Sequence, residues 1–463
     1  NNCDFTGTGT CLLSGERGSA WYSIPITTSG VLQFDIIPND WAGAPSTSAT
    51  DYDFAVWRTV GSSSVNCINI AAGAVPVACN YSGLGVTGLS GTVGNAPAAY
   101  PGFDASYEPQ INVTAGETYV LVISNFSNST SGFTLRFNNT SPINYTSPGT
   151  ANVVWTGGTN SQWSLQSNWG GCAAPRCGIN AALSPSSLNQ PILLGGSVDT
   201  VNNLTINPGS SLTMMAGSTL RVCGNFNNYG SLIANPSATI IFCGSGKQTI
   251  SGALVGPDKF PNLIVDKAAG SDSVILNNDI DIGGSFATQN ANSIFNARGK
   301  YIRLAGSFSN NNGNATFCNI GTTGVLEFNG SSVQNYNQGA TRLDLNSVIM
   351  NHTGSGVNLA SNMCIKTVTG QLTLNTGKII TDTFEVRVNN TAMNSVSTGN
   401  LNSYIKGNLR RYLLQTASAY DFPVGDATFE RANINFSSNA VNNLRACFVP
   451  FTTIPPAIGI KEC

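Results

Sequence analysis

The sequence predicts an all-β protein: an N-terminal β-sandwich of the jelly-roll type, followed by a β-helix or β-solenoid and a short C-terminal β segment. Composition is the first observation behind this prediction. The 463 residues include 50 glycines and only 10% charged residues, so helix-favouring Glu, Lys and Arg are scarce. The other two observations are short alternating runs within residues 21–137 and closely repeated short strands from residue 198 onward.

The first predicted domain, residues 1–149, is the β-sandwich. Segments such as 31–36 and 119–123 alternate apolar and polar residues, and Gly, Pro and Ser separate them, which is typical of antiparallel sheets. Residues 80–109 are rich in Gly and Ala and predict one long loop. The Asn-, Ser- and Thr-rich stretch 138–150 predicts a linker.

The second predicted domain, residues 150–400, is the β-helix. Segments such as 204–206, 219–222 and 239–242 recur roughly every 8–10 residues, and Gly or Asn lies between them. Each strand has one apolar face, which only stacking on further strands can bury. Asn side chains form ladders between stacked coils, which explains their frequency. Residues 401–463 predict a C-terminal β cap or the start of a further module.

Charge and hydropathy exclude two classes of partner. A net charge of −2 and a pI near 5.5 provide no basic surface for nucleic acid. No apolar run reaches the length needed to cross a bilayer, so we expect no membrane insertion. Asn1 is not an initiator residue, and we therefore expect that a targeting peptide has been removed.

The twelve cysteines fall into couples that are close in sequence, and we interpret them as disulfides. Free buried thiols and a metal site are the alternatives, but no CxxC occurs and His352 is the only histidine. Disulfides predict an extracytoplasmic compartment. The couples are Cys3 and Cys11, Cys67 and Cys79, Cys172 and Cys177, Cys223 and Cys243, Cys318 and Cys364, and Cys447 and Cys463.

The segments 18–22, 51–57, 79–82 and 115–126 resemble a β-sandwich module of large surface adhesins. Such modules occur in cargo of the type IX secretion system of Bacteroidota, including gliding-motility adhesins. The later segments 155–157, 168–169, 203–206, 248–252 and 422–425 resemble the same class. The resemblance implies an exported protein on the cell surface that interacts with the secretion machinery, and it supplies no catalytic residues. The chain departs from it by lacking a C-terminal sorting domain, so we expect either a segment of a longer protein or a removed domain.

Few residues suggest chemistry. Asp51 and Asp53, with Asp35 or Asp104, provide hard oxygen ligands for a structural Ca²⁺, although such residues also bond turn amides or face water. Beyond this Ca²⁺ we predict no cofactor.

Enzymatic activity is not predicted. Asp279 and Asp281 lie on one side of a strand and resemble an acid–base pair, but solvated carboxylates explain them as well. We expect His352 to lie in a surface loop.

Two further surface features concern sugars. Exported proteins of Bacteroidota carry O-glycans at Asp-Ser/Thr-apolar triplets, and residues 199–201 and 272–274 have this pattern. The resemblance therefore implies O-glycosylation of Thr200 and Ser273. Aromatic residues can stack on sugar faces if exposed, or belong to the core. These aromatic residues are Trp41, Trp57, Tyr81 and Tyr100.

These observations predict an extracellular structural and adhesive protein, a segment of a large adhesin or surface fibre. Its expected partners are surface glycans or other cell-surface components. One alternative is a self-assembling filament subunit, because the end of a solenoid is an open sheet edge. The other is a β-helix that binds or degrades polysaccharide.

Overall fold

The computed structural model describes residues 12, 17–26, 28–43, 49–59, 70, 72–83, 85–90, 106–137, 151–170, 174–256, 259–268, 272–318, 323–414, 416, 418–437 and 442–448. The chain forms two compact units. The first comprises Asn1–Gly149, Gly157–Thr159 and Leu165–Ala174, and the second comprises Thr150–Thr156, Asn160–Ser164 and Pro175–Cys463. No helix in the described ranges is long and apolar enough to span a membrane.

The described part of the first unit consists mainly of short strands, with a 3₁₀ turn at Gln166–Asn168. Its strands are β1 Ala20–Pro25, β2 Gly30–Leu32, β3 Phe34–Pro38, β4 Tyr52–Thr59, β5 Ala78–Asn80, β6 Thr87–Ser90, β7 Tyr107–Pro109, β8 Ile111–Val113, β9 Thr118–Asn125 and β10 Phe133–Phe137. They form two four-stranded sheets, with orders β1-β9-β4-β5 and β10-β3-β6-β7, and the small pair β2-β8.

The two four-stranded sheets share one apolar core, which makes this unit a β-sandwich. Strand β3 alternates buried and half-buried residues, so Phe34 and Ile36 point inward. The ring of Phe34 packs edge-on against Phe54 of β4 with centroids 5.3 Å apart. Strand β4 is buried on both faces, because Ala55 and Trp57 belong to a second cluster with Leu12, Ile70 and Val122.

Short strands also dominate the second unit, together with a single-turn helix α1, Gly313–Thr316, and a 3₁₀ turn, Met393–Ser395. Its strands are β11 Ala151–Val154, β12 Ile179–Leu183, β13 Ile192–Leu193, β14 Val198–Val201, β15 Leu204–Ile206, β16 Ser211–Met214, β17 Thr219–Val222, β18 Phe226–Asn228, β19 Ser231–Ala234, β20 Thr239–Phe242, β21 Gln248–Gly252, β22 Asn262–Val265, β23 Ser273–Leu276, β24 Ile280–Ile282, β25 Phe286–Thr288, β26 Ile294–Asn296, β27 Tyr301–Leu304, β28 Phe308–Ser309, β29 Phe317–Cys318, β30 Val325–Phe328, β31 Gln334–Asn337, β32 Asp344–Leu345, β33 Ser347–Asn351, β34 Val357–Leu359, β35 Met363–Ile365, β36 Gln371–Thr376, β37 Ile379–Val388, β38 Ile405–Tyr412, β39 Ser418–Gly425, β40 Phe429–Phe436 and β41 Asn443–Ala446.

The second unit is a β-solenoid, as predicted, because strands from successive coils pair in parallel. An 8-stranded sheet begins at β11 and a 15-stranded sheet begins at β14. A third face is a 3-stranded sheet, β13-β16-β19, and later a 5-stranded sheet that begins at β24. The register keeps like residues in columns: Val201 pairs with Val222, Val222 with Phe242, and Phe242 with Val265. All four side chains of this column are buried.

Asparagine side chains join neighbouring coils, which confirms the predicted ladder. The Asn180 amide donates to Oδ1 of Asn152 at 2.8 Å, and the amides of Asn202 and Asn203 donate to Oδ1 of Asn180 at 2.8 Å. The backbone N–H of Asn225 continues the ladder to Oδ1 of Asn203. Asn152 and Asn180 are paired strand residues, and Asn202 and Asn203 lie between β14 and β15, so these side-chain bonds add to the backbone hydrogen bonds between the coils.

Strand direction reverses at the C-terminal side of the solenoid. Strand β38 pairs in parallel with β37, and β39 in parallel with β38. Strand β40 then runs antiparallel to β39, and β41 antiparallel to β38. The described residues after 401 therefore extend the solenoid's own sheet and close it with antiparallel strands.

Candidate functional site

Several of the predicted cysteine couples are wrong, because Cys177 forms a disulfide with Cys223, 46 residues away. This bond excludes the couples of Cys177 with Cys172 and of Cys223 with Cys243. In a solenoid, a whole coil of chain lies between residues that touch, so nearness in sequence does not predict pairing.

The couple of Cys318 and Cys364 is also wrong. Cys318 ends β29 in the 8-stranded sheet, whereas Cys364 lies on β35 in the 15-stranded sheet. Both are free thiols, as is Cys243, and burial raises the pKa of the Cys318 and Cys364 thiols. Cys79 and Cys447 are disulfide-bonded. Cys3, Cys11, Cys67, Cys172 and Cys463 lie outside the described residues.

Asp51 and Asp53 share the outer face of the sheet that contains β4. They are two residues apart along an extended segment, so their side chains point to the same side, while Tyr52 between them packs into the sandwich core. Asp53 pairs in register with Ser124 of β9. Gly83 lies beside Asp51: a Cβ at its position would be 3.7 Å from Asp51 Oδ2, an ordinary contact distance.

Both carboxylates are poorly solvated. Asp53 is only 7% exposed, and among the residues of the described ranges the Oδ1 atoms of Asp51 and Asp53 have no hydrogen-bond partner. Burial raises the pKa of Asp51 from 3.8 to about 6. Burial, together with the nearby charge of Asp51, raises the pKa of Asp53 to about 7. The pair therefore favours bound positive charge, either protons or a cation.

The other predicted Ca²⁺ ligands do not join this pair. Asp35 forms an ion pair with Arg136 at 2.6 Å and accepts a hydrogen bond from the Tyr107 hydroxyl. Asp104 lies outside the described residues. Across the described ranges, no group of three or more His, Cys, Asp or Glu side chains is placed to hold a metal ion.

The carboxylates considered as an acid–base pair on the solenoid are engaged in cross-coil contacts. Asp281 of β24, Arg303 of β27 and Glu327 of β30 form one column in register. Arg303 lies 3.0 Å from Asp281 Oδ1 and 3.5 Å from Glu327 Oε2. Asp279 instead accepts a hydrogen bond from the Tyr301 backbone N–H.

Asp281 and Glu327 are buried and paired with the guanidinium group, so Asp281 is not the solvated carboxylate that the sequence suggested. Asp281 also accepts a hydrogen bond from the Gly256 N–H. Glu327 accepts hydrogen bonds from the Tyr301 hydroxyl and the Asn351 amide. Through these contacts the two carboxylates connect neighbouring coils of the solenoid.

A second charged column lies near the C-terminal strands. Glu385 of β37 contacts Arg387 on its own strand and Arg410 on β38, with 3.0 Å between Arg410 Nε and Glu385 Oε1. Burial opposes ionisation of Glu385, but the hydrogen bonds from Arg410 and Arg387 outweigh it and lower the pKa of this carboxyl. Both columns join neighbouring strands through arginine, which makes bidentate contacts with carboxylates.

His352 was expected in a surface loop, but it is 1% exposed. Its Nδ1 accepts a hydrogen bond from the Gly354 N–H at 3.0 Å, and its Nε2 lies 2.8 Å from the Ser332 carbonyl oxygen. A ring whose Nδ1 accepts and whose Nε2 donates is a neutral imidazole. His352 therefore shapes a corner of the solenoid.

Thr200 and Ser273, the predicted glycosylation residues, are half-buried strand residues. Thr200 of β14 pairs in register with Arg221, and Ser273 of β23 pairs with Ile294. Among the aromatic candidates, Trp57 belongs to the core, and its indole N–H donates to the Ala74 carbonyl at 2.8 Å. Trp41 and Tyr81 are partly exposed, and Tyr100 lies outside the described residues.

Sequence reasoning missed a buried lysine at a coil corner. Lys267 is fully buried, and its Nζ donates to the Gly244 carbonyl at 2.7 Å and contacts Gln248 Oε1. Gln248 in turn donates to the Val222 carbonyl of the preceding coil at 2.9 Å.

Gln334 makes the equivalent bond to the Leu304 carbonyl at 2.9 Å. The repeated spacing Phe-x-Gly-Ser-x-x-Gln, at residues 242–248 and 328–334, is the signal that predicts this recurring corner.

Comparisons with protein-family models, with curated proteins and with solved structures find no match for this chain.

Proposed function

We propose that this chain is a secreted structural and adhesive protein of the cell surface, a segment of a large adhesin or surface fibre. The observation that carries the proposal is that buried carboxylates of the solenoid form ion pairs with arginines. Its buried carboxylates Asp281, Glu327 and Glu385 bind arginines across neighbouring coils. Such pairs stiffen a stack of strands, whereas a glycosidase needs a carboxyl pair free to exchange protons with its substrate.

Two further features support this proposal. The disulfide between Cys177 and Cys223 fits an oxidising compartment outside the cytoplasm. The sheet from β14 to β39 advances by one strand spacing at each step, so its stacked part measures roughly 50 Å at about 4.8 Å per strand. A stack of that height suits a spacer that holds a binding surface away from its anchor.

Surface display and adhesion are tested together on cells that produce the chain. An antibody against the solenoid is expected to label intact cells, and the label should disappear after external protease treatment. Beads coated with the purified chain should adhere to glycan-coated surfaces more often than albumin-coated beads. A chain detected only after cell lysis, or beads that adhere no better than albumin, would overturn the proposal.

A further inference from the structure

The buried carboxylates of the sandwich differ from those of the solenoid in what surrounds them. Asp281, Glu327 and Glu385 each contact an arginine. Asp51 and Asp53 contact none in the described part of the chain, although Asp53 is equally buried. Burying an ionised carboxylate without a partner is strongly unfavourable. The sandwich therefore leaves a negative site that something else must neutralise.

The sandwich contains few side chains that could do so. Residues 1–149 contain three arginines and no lysine, against nine aspartates and glutamates. Arg17 lies over the Phe126 ring, Arg58 pairs with Glu117, and Arg136 pairs with Asp35. Each of the three is thus engaged elsewhere. The excess of acidic residues attracts cations from solution to this domain.

We infer that Asp51 and Asp53 bind a Ca²⁺ ion at the end of strand β4. Their two oxygens that lack hydrogen-bond partners lie on the same face of the sheet and supply hard anionic ligands. Gly83 carries no side chain next to this pair, and a Cβ at its position would be at ordinary contact distance, 3.7 Å, from Asp51 Oδ2.

The ligand chemistry favours Ca²⁺ over transition metals. Zn²⁺ and Cu²⁺ prefer imidazole and thiolate ligands, but the only histidine of the chain is buried in the solenoid, and Cys79 on neighbouring β5 is disulfide-bonded. Ca²⁺ accepts carboxylates, backbone carbonyls and waters together. With only two carboxylates, the expected dissociation constant lies in the range of about 0.1–1 mM that is typical of extracellular modules.

The alternative occupant is a proton, because the raised pKa values of about 6 and about 7 also allow the pair to remain partly protonated. The two occupants differ in their response to pH and to Ca²⁺. At about pH 8 both carboxyls are ionised, so a cation is needed for neutralisation. Near pH 5.5 protons neutralise the pair, and Ca²⁺ should add little.

The experiment measures thermal unfolding of the full chain by Trp fluorescence, to which Trp21 and Trp57 of the sandwich contribute, in EDTA or about 10 mM CaCl₂ at matched ionic strength. At about pH 8, we expect Ca²⁺ to raise the Tm of the sandwich by about 3–5 °C. Tb³⁺ luminescence, sensitised by nearby Tyr and Trp residues, provides an independent binding signal that Ca²⁺ should displace.

Asp53→Asn keeps the size of the side chain and removes its charge, so this variant should fold at least as well in EDTA while losing the Ca²⁺ shift. Asp51→Asn should weaken Tb³⁺ binding at least about tenfold, and it serves as the second test if Asp53→Asn is unstable. Asp35→Asn is the matched control, because its carboxylate is paired with Arg136, and it should keep the full response.

Two results would overturn the inference. The first is a wild-type chain whose Tm does not respond to Ca²⁺ at about pH 8 but rises on acidification, which identifies a proton-sharing pair. The second is an Asp53→Asn variant that responds to Ca²⁺ as the wild type does, which places the ion elsewhere.

Discussion

Replacing Phe308 with Ala tests whether stacked aromatic rings hold the middle of the solenoid together. Phe308 is 1% exposed and lies in a column between Phe286 and Tyr336 of the neighbouring coils. Its ring is stacked on both, with centroids 5.3 and 5.4 Å apart, and meets Phe317 edge-on at 5.2 Å. All three neighbours are buried, so the cavity left by the ring cannot close easily.

The expected cost follows from these contacts. Buried Phe→Ala changes cost about 3–5 kcal/mol, and each aromatic pair adds about 0.5–1.5 kcal/mol beyond area burial. With three pairs lost, we expect Phe308→Ala to lie near the upper end, at about 4–5 kcal/mol. Tyr229→Ala is the matched control, because this aromatic ring of the same solenoid is 53% exposed and its loss should change stability by less than about 0.5 kcal/mol.

Hydrogen exchange followed by mass spectrometry is the appropriate assay, because it reports a free energy of opening for each coil. In a solenoid each coil contacts only its neighbours, so protection should fall first in β25, β28 and β31 and persist in β14 and β17. A loss below about 1 kcal/mol, or an equal loss of protection in every coil, would refute this account of the column.

Three further changes test other contacts. Replacing both Cys177 and Cys223 by Ser should lower the unfolding free energy by about 2–4 kcal/mol in denaturant titrations, because the disulfide links residues that are 46 positions apart. Equal stability of the wild type with and without reductant would contradict this. Arg411→Met should lower the unfolding free energy by about 2–4 kcal/mol and expose β39 to hydrogen exchange. The reason is that the buried guanidinium donates to the Asp421 carbonyl at 2.7 Å and to the Met393 carbonyl at 2.8 Å. Unchanged exchange in the variant would show that these bonds are dispensable. Burial lowers the pKa of Lys267 from 10.5 to about 8. Between these two pH values the unfolded chain therefore binds more protons than the folded chain. The free energy of unfolding should rise from about pH 8 to about pH 10.5 in the wild type but not in Lys267→Met.

The class and order of the domains follow from local sequence patterns. Alternation in β3 places Phe34 and Ile36 in the sandwich core, and short strands separated by Asn or Gly specify stacked coils. The two-residue period of a strand is likewise enough to place Asp51 and Asp53 on one face. Their burial could not be predicted, because the residues that cover this face of the sheet, such as Leu12 and Ile70, come from segments outside strand β4.

The sequence predicted the Asn ladder, but it could not show which charged residues and cysteines meet across coils, and the reason is physical. The partner of Cys223 depends on how many residues each corner contains, and that number varies from coil to coil. The same uncertainty hid the contacts of Asp281 and Glu327 with Arg303. His352 illustrates a different limit, because a polar side chain in a Gly- and Ser-rich segment suggests a loop, whereas its two hydrogen bonds lie inside the corner.

The antiparallel closure of the solenoid has a consequence for how its size is controlled. Strand β40 is the last strand along the 15-stranded sheet within the described residues, and it carries Glu430 and Arg431 on that outer strand. Charged side chains on an edge strand disfavour the addition of another chain. Within the described residues, the longest sheet of the solenoid therefore ends at an edge that opposes growth by addition of a further strand.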